Sequence, residues 1–245
     1  MKNLNKTLAI ASLLFTTLTV HTKAAPVTWA AGDVFLGFES TTAGKNLLID
    51  IGQGTSVASF SGIDALTDLR SAFGIGWYAL GDLNWGAFSI ATDKKTLWGT
   101  VASGNSALTT GSTGSRTTPL ARFTGMGNNY NNDIENSSGV GTVGVIMTVG
   151  TGTDVGTSTW SGNNPTTAPF AAYSISIENI ITGNLDLYSV PNSGSATAIF
   201  SAANGNNLYV NSSGFIGVVP EPSTYALMAL GALVLVIAYR RKIRA

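Results

Sequence analysis

The chain contains no cysteine, and its one histidine, His21, lies in the N-terminal leader-like stretch. From residue 25 onward there is neither thiol nor imidazole. That excludes Ser-His-Asp and Cys-His nucleophilic sites, histidine general bases, zinc centres and thiol redox chemistry together. It also excludes disulfides, which a domain of this length does not need, since about 150 residues already bury roughly 70% of the unfolded chain's surface. Charge is the second scarcity: 11% of residues are charged, and the basic ones are concentrated at the two ends. Residues 25–219 hold six basic side chains (Lys45, Arg70, Lys94, Lys95, Arg116 and Arg122) against twelve acidic ones, a net charge of −6. Nucleic-acid binding rests on clustered cations, so a lysine-poor, mildly acidic body argues against it.

Two chemistries survive these absences. A pair of carboxylates can run glycoside hydrolysis, and oxygen ligands can hold calcium. The densest polar run, 128–136, lacks the ligand spacing and central glycine of an EF-hand and reads as a solvated, turn-forming loop. Asp50, Asp82, Asp93 and Glu178 are scattered singly among apolar residues, as solvent-facing acids at strand ends are. No catalytic residue, metal ligand or cofactor is assigned.

What the chain does have is concentrated at its termini. Lys2 and Lys6 precede an apolar stretch over 7–20 and a short polar segment ending in Ala24, the pattern of a secretory signal peptide over residues 1–24. At the other end Pro220, Glu221, Pro222 and Ser223 come just before an uncharged run. The prolines lack N–H donors and disfavour helix at the preceding residue, so this stretch is expected to be extended and accessible. Positions 223–239 are free of charge, and at 1.5 Å per residue these 17 residues reach roughly 25 Å, just enough for a single transmembrane helix. Tyr225 and Tyr239 bracket that span, and Arg240, Arg241, Lys242 and Arg244 form a membrane-stop tail that marks the cytoplasmic side.

Motif, span and basic end in this order resemble the PEP-CTERM sorting signal. The resemblance implies handling by an exosortase at the membrane, in a Gram-negative bacterium that makes extracellular polysaccharide. Together with the leader, which implies the Sec machinery as a partner, it predicts an anchored inner-membrane precursor. From there the protein passes to the cell envelope or extracellular surface.

The body, 25–219, is expected to be one all-β domain, an antiparallel β-sandwich with one short helix. Val143, Val145, Met147 and Val149 alternate with smaller or polar neighbours, as do Tyr173, Ile175 and Ile177. Further strands are expected over 33–38, 46–51, 77–80, 86–91, 96–102, 185–190, 196–200 and 207–210, with Gly, Ser, Thr and Asn turns between them. Ser61 and Asp64 have capping-box spacing and Leu66, Leu69 and Phe73 recur at helical intervals, so the helix is placed at about 62–73. Residues 103–118 and 150–168 read as long loops.

Trp77, Trp85 and Trp98 fall in an aromatic-rich stretch. Exposed, they would stack on sugar rings; on alternating strands they would fill a core. Patches at 32–38, 46–52, 83–86 and 185–188 are similar to a group of exported PEP-CTERM proteins, a resemblance that carries no activity with it. The leading expectation is a noncatalytic envelope or matrix protein. An exopolysaccharide-binding module is the alternative, and a carboxylate-based polysaccharide hydrolase the third reading.

Overall fold

The computed structural model describes residues 26–105, 116–149, 160, 178–192, 195–219, 230–233, 236 and 239. Its centre is a single antiparallel sheet of eleven strands, strongly curled into a half-barrel. In chain order the strands are β1 (Asp33–Ser40), β2 (Lys45–Gln53), β3 (Gly62–Asp64), β4 (Asn84–Ile90), β5 (Thr96–Ala102), β6 (Val145–Thr148), β7 (Glu178–Ile180), β8 (Leu185–Pro191), β9 (Thr197–Phe200), β10 (Leu208–Val210) and β11 (Phe215–Val218). Across the sheet they run β3-β11-β10-β8-β5-β4-β1-β2-β6.

The expected two-sheet sandwich is therefore corrected to one sheet. Its curl comes with forked edges: β4 pairs β5 through Phe88–Ile90 but β7 through Asn84–Gly86, and β8 is flanked on one edge by both β9 and β10. Register shifts in β1–β2 and β8–β9 add local twist, which lets one sheet fold over its own core.

The long strands β1, β2, β4, β5 and β8 bury both faces. Val34, Leu36 and Phe38 of β1 join Leu47, Trp85, Leu187 and Ile216 on the first face, where helix α1 (Leu66–Phe73) packs with Leu69, Ala72 and Phe73. Phe35, Leu48, Phe88 and Tyr188 point to the second face, covered by helix α2 (Thr117–Glu135) through Phe123, Met126 and Tyr130. Asp68 of α1 fixes the approach to β6: its carboxylate accepts from the N–H groups of Thr142, Val143 and Gly144 at 2.6–2.9 Å.

The helix expected at 62–73 is shorter. Residues 62–64 pair with β11 instead, and the cap falls on Ala65, with Asp64 Oδ1 accepting from the N–H of Leu66. Trp77–Ala79 is a 3-10 turn rather than a strand. The larger correction is α2, which takes in part of the expected 103–118 loop and nearly all of the Asn-rich run. Pro119 sits in its first turn, where a missing N–H costs no helical bond. Asn131 clamps the backbone of Trp29, accepting from its N–H at 2.7 Å and donating to its carbonyl at 3.0 Å. Among the described residues no helix is long and apolar enough to cross a membrane. The expected strand at 173–177 and the leader lie outside the described residues.

Candidate functional site

Sheet register gathers the carboxylates of the strands. Asp33, Phe35, Gly37 and Glu39 alternate on one face of β1; Asp50 lies opposite Phe35, and Asn46 opposite Glu39. Glu178 of β7 lies opposite Gly86, itself opposite Gly37. Asp186 lies opposite Val101, on the same side. These five acids therefore occupy the face covered by α2. Asp50 and Glu178, expected at solvent-facing strand ends, are instead interior or nearly so.

Four of them fall into two interacting pairs, Asp33 with Asp50 and Glu39 with Glu178, while Asp186 accepts from the Ala202 N–H at 2.9 Å. In the first, burial pushes the Asp50 carboxyl up to about 8, and the charge and hydrogen bond of Asp33 add to the shift. Asp33 is itself held by the Ala30 N–H at 2.6 Å and by Gln53 Nε2. Asp50 Oδ2 is buried without a hydrogen-bond partner, an environment that disfavours the charged carboxylate. Burial, with a smaller contribution from Asp50, also raises the nearby Tyr130 phenol above its ordinary value.

In the second pair, burial pushes Glu178 up to about 8, with the charge of Glu39 adding to it, while Trp160 Nε1 donates to Glu178 Oε1. The Trp160 indole lies flat against Gly37, where a Cβ would come within 1.9 Å of its Cδ2. Asp33 and Glu39 are six residues apart on β1, so the pairs are separated by roughly 20 Å. Within each pair the charge of one carboxyl acts on the other.

The aromatic residues singled out in the sequence are inside the fold. Trp77, Trp85 and Trp98 are 2%, 0% and 6% exposed. Trp85 stacks on Phe38 with ring centroids 5.9 Å apart and donates from Nε1 to the Gly183 carbonyl at 3.0 Å. Trp98 lies against Gly54, and Trp77 meets Tyr78 edge-on at 5.2 Å. Buried rings cannot form a sugar-stacking platform, so that candidate site is corrected to core.

The chain leaves the sheet at β11, whose Val218 pairs with Leu208. Val219 makes one more bond, donating to the Asn207 carbonyl at 2.9 Å. Pro220, Glu221, Pro222, Ser223, Arg240, Arg241, Lys242 and Arg244 lie outside the described residues. Further on, residues 230–233, 236 and 239 are helical. Over this stretch, residues 218–242 match the family model for the PEP-CTERM protein-sorting motif. The chain carries a PEP-CTERM sorting motif at its C-terminus. The motif implies an exported, surface-sorted exosortase substrate of a Gram-negative bacterium. No curated protein and no solved structure matches the chain.

The acid pairs escaped the sequence reading, although their signal was present. Asp33-x-Phe35-x-Gly37-x-Glu39 and Asn46-x-Leu48-x-Asp50 each put carboxylates in phase with a buried apolar residue.

Proposed function

We propose that this is a noncatalytic β-domain delivered by its PEP-CTERM motif to serve as a cell-envelope or extracellular-matrix component. The observation that carries the reading is the place of the motif. Its match begins at Val218, the last residue of β11, so the sorting address continues directly from the folded body. Residues 1–24 direct Sec export, 223–239 hold the precursor in the inner membrane, and the Arg240–Arg244 end stays cytoplasmic. The chemistry of the body supports a passive role. It has no imidazole or thiol, its tryptophans fill the core, and Asp33, Glu39 and Asp50 are buried within the fold. An exopolysaccharide-binding role would need aromatic or polar surface other than Trp77, Trp85 and Trp98. A hydrolase would need two carboxyls flanking an open, sugar-sized cleft, whereas Asp33, Glu39 and Asp50 are drawn into the interior.

Replacing Pro220-Glu221-Pro222 with three alanines tests the reading in a host that makes exosortase. The variant is expected to persist as intact precursor in the inner membrane. The parent protein is expected to lose a fragment of about the anchor's mass, read by mass spectrometry of its C-terminal peptide. The same uncleaved C-terminus in both would reduce the segment to a plain anchor.

A further inference from the structure

A register shift brings two acids of neighbouring strands together. The β1–β2 pairing passes from Asp33 opposite Gln53 to Phe35 opposite Asp50, one residue out of step, and Asp33 and Asp50 end on the face under α2. Their described partners are neutral donors: the Ala30 N–H and Gln53 Nε2 on Asp33, and the Gly52 N–H on Asp50 Oδ1 at 2.7 Å. Among the described residues neither acid has a basic partner. Asp50 Oδ2 is buried with no partner, and the hydroxyl of Tyr130 on α2 is in the same condition. Tyr130 is 0% exposed, its ring packs at 5.0 Å on Phe35, the residue opposite Asp50, and the charges of Asp50 and Asp33 both act on its phenol.

Buried charges are stable only when they are paired or bind a metal. One proton shared between Asp33 and Asp50 leaves a net negative charge inside the fold, whereas a divalent cation cancels both charges and gives Asp50 Oδ2 and the Tyr130 oxygen a partner. We infer that Asp33, Asp50 and Tyr130 form a calcium site that clips β1, β2 and α2 together. Donors that are all oxygen select a hard cation. Gln53 at the end of β2 is exposed, so water can enter to complete the shell, and such an irregular shell suits calcium better than the strict octahedron of magnesium. Two carboxylates place the affinity in the class of extracellular modules, about 0.1–1 mM. In a chain without cysteine the ion serves where a disulfide would. The site goes beyond the proposed passive role and does not depend on the sorting motif. Proton and cation compete for the same oxygens, so the pH behaviour of Asp50 is that of the cation-free protein.

The test uses the full-length chain in detergent, unfolded by heat in EGTA, in millimolar calcium chloride or in millimolar magnesium chloride and followed by circular dichroism. Calcium is expected to raise the melting temperature by several degrees over EGTA, and magnesium by clearly less. Asp50→Asn, which puts a neutral group of the same shape at this position, is expected to fold in EGTA and to lose the calcium-dependent rise. Asp93→Asn, a change at an exposed acid, is expected to keep it. Terbium gives a second readout, because an ion bound beside Tyr130 is sensitised by light absorbed by the protein's aromatic rings. Its emission is expected to fall as calcium competes, and to be lost in Asp50→Asn. Tyr130→Phe keeps the ring in the core and is expected to weaken both ions several-fold, which guards against an Asp50→Asn protein that does not fold. No calcium-dependent rise, an equal rise with magnesium, or a rise and terbium emission that persist in Asp50→Asn and Tyr130→Phe would overturn the calcium site.

Discussion

A hydrogen atom at Gly37 decides how the second face of the sheet is covered. Any larger side chain would occupy the plane of the Trp160 indole, and the indole is what delivers Nε1 to Glu178. Gly127 of α2 does the same for Trp29, whose ring would meet a Cβ at 2.3 Å. Both sites trade a side chain for close approach of a large aromatic, one of the positions where glycine is required within regular structure. Gly37→Ala is expected to destabilise residues 25–219 by about 1–3 kcal/mol through overpacking. The midpoint of urea unfolding measures this, with a fall in midpoint at unchanged slope as the expected result. An unchanged midpoint would mean that Trp160 does not rest on Gly37.

At the level of elements, α2 is the instructive case because its composition argues against it. Asn and Gly fill much of the helix, and both rank low in helix propensity. Its stripe of Leu120, Phe123, Met126, Tyr130 and Ile134 nevertheless recurs at three- and four-residue intervals, and burial of that stripe outweighs propensity. Phe123 is its centre, meeting Trp29, Phe35 and Phe88 edge-on at 5.3–5.8 Å. Arg116 pins the start of the helix, donating to the carbonyls of Lys94, Lys95 and Pro191. Phe123→Ala is expected to cost about 3–5 kcal/mol, as large-to-small changes in closed cores do. Thermal unfolding followed by circular dichroism provides the check, and a loss below 1 kcal/mol would place Phe123 outside the core. The strands β1, β2, β4, β5 and β8 were legible because each is a stretch of at least seven residues rich in aliphatic and aromatic side chains. The four-residue β11 was not, because its phase is set by β10 and β3 rather than by a pattern of its own.

For the whole molecule, the acids set a pH optimum. Burial pushes Asp50 and Glu178 from their ordinary 3.8 and 4.5 up to about 8 in the folded protein, so their contribution is complete only below about pH 4 and is lost progressively as pH rises to about 8. Asp82 works the other way. The Thr42 N–H, helped by the side chains of Ser40, Thr41 and Thr42, draws it down to about 2, so its contribution is present above about 4 and lost as pH falls through 2. Melting temperature is therefore expected to peak between about pH 4 and 5 and to decline toward pH 9. Asp50→Asn should flatten the alkaline decline, because the amide keeps the neutral form at every pH. A melting curve that rises from pH 5 to pH 8, or an unchanged slope in Asp50→Asn, would refute this account.

The address and the chemical exclusions were decided by the sequence alone, because both depend on local composition and order. A Pro-Glu-Pro segment, an uncharged run and a basic end carry their meaning without long-range contacts, and so does a body without histidine or cysteine. Which face a side chain occupies, and what lies above it, depends on pairings between distant strands. Only tertiary structure could decide those. Tertiary structure put Trp77, Trp85 and Trp98 into the core and curled eleven strands into one sheet where two had been expected. It also brought Glu39 against Glu178 across 139 positions of chain, because β1, β4 and β7 pair in a register that neither segment encodes by itself.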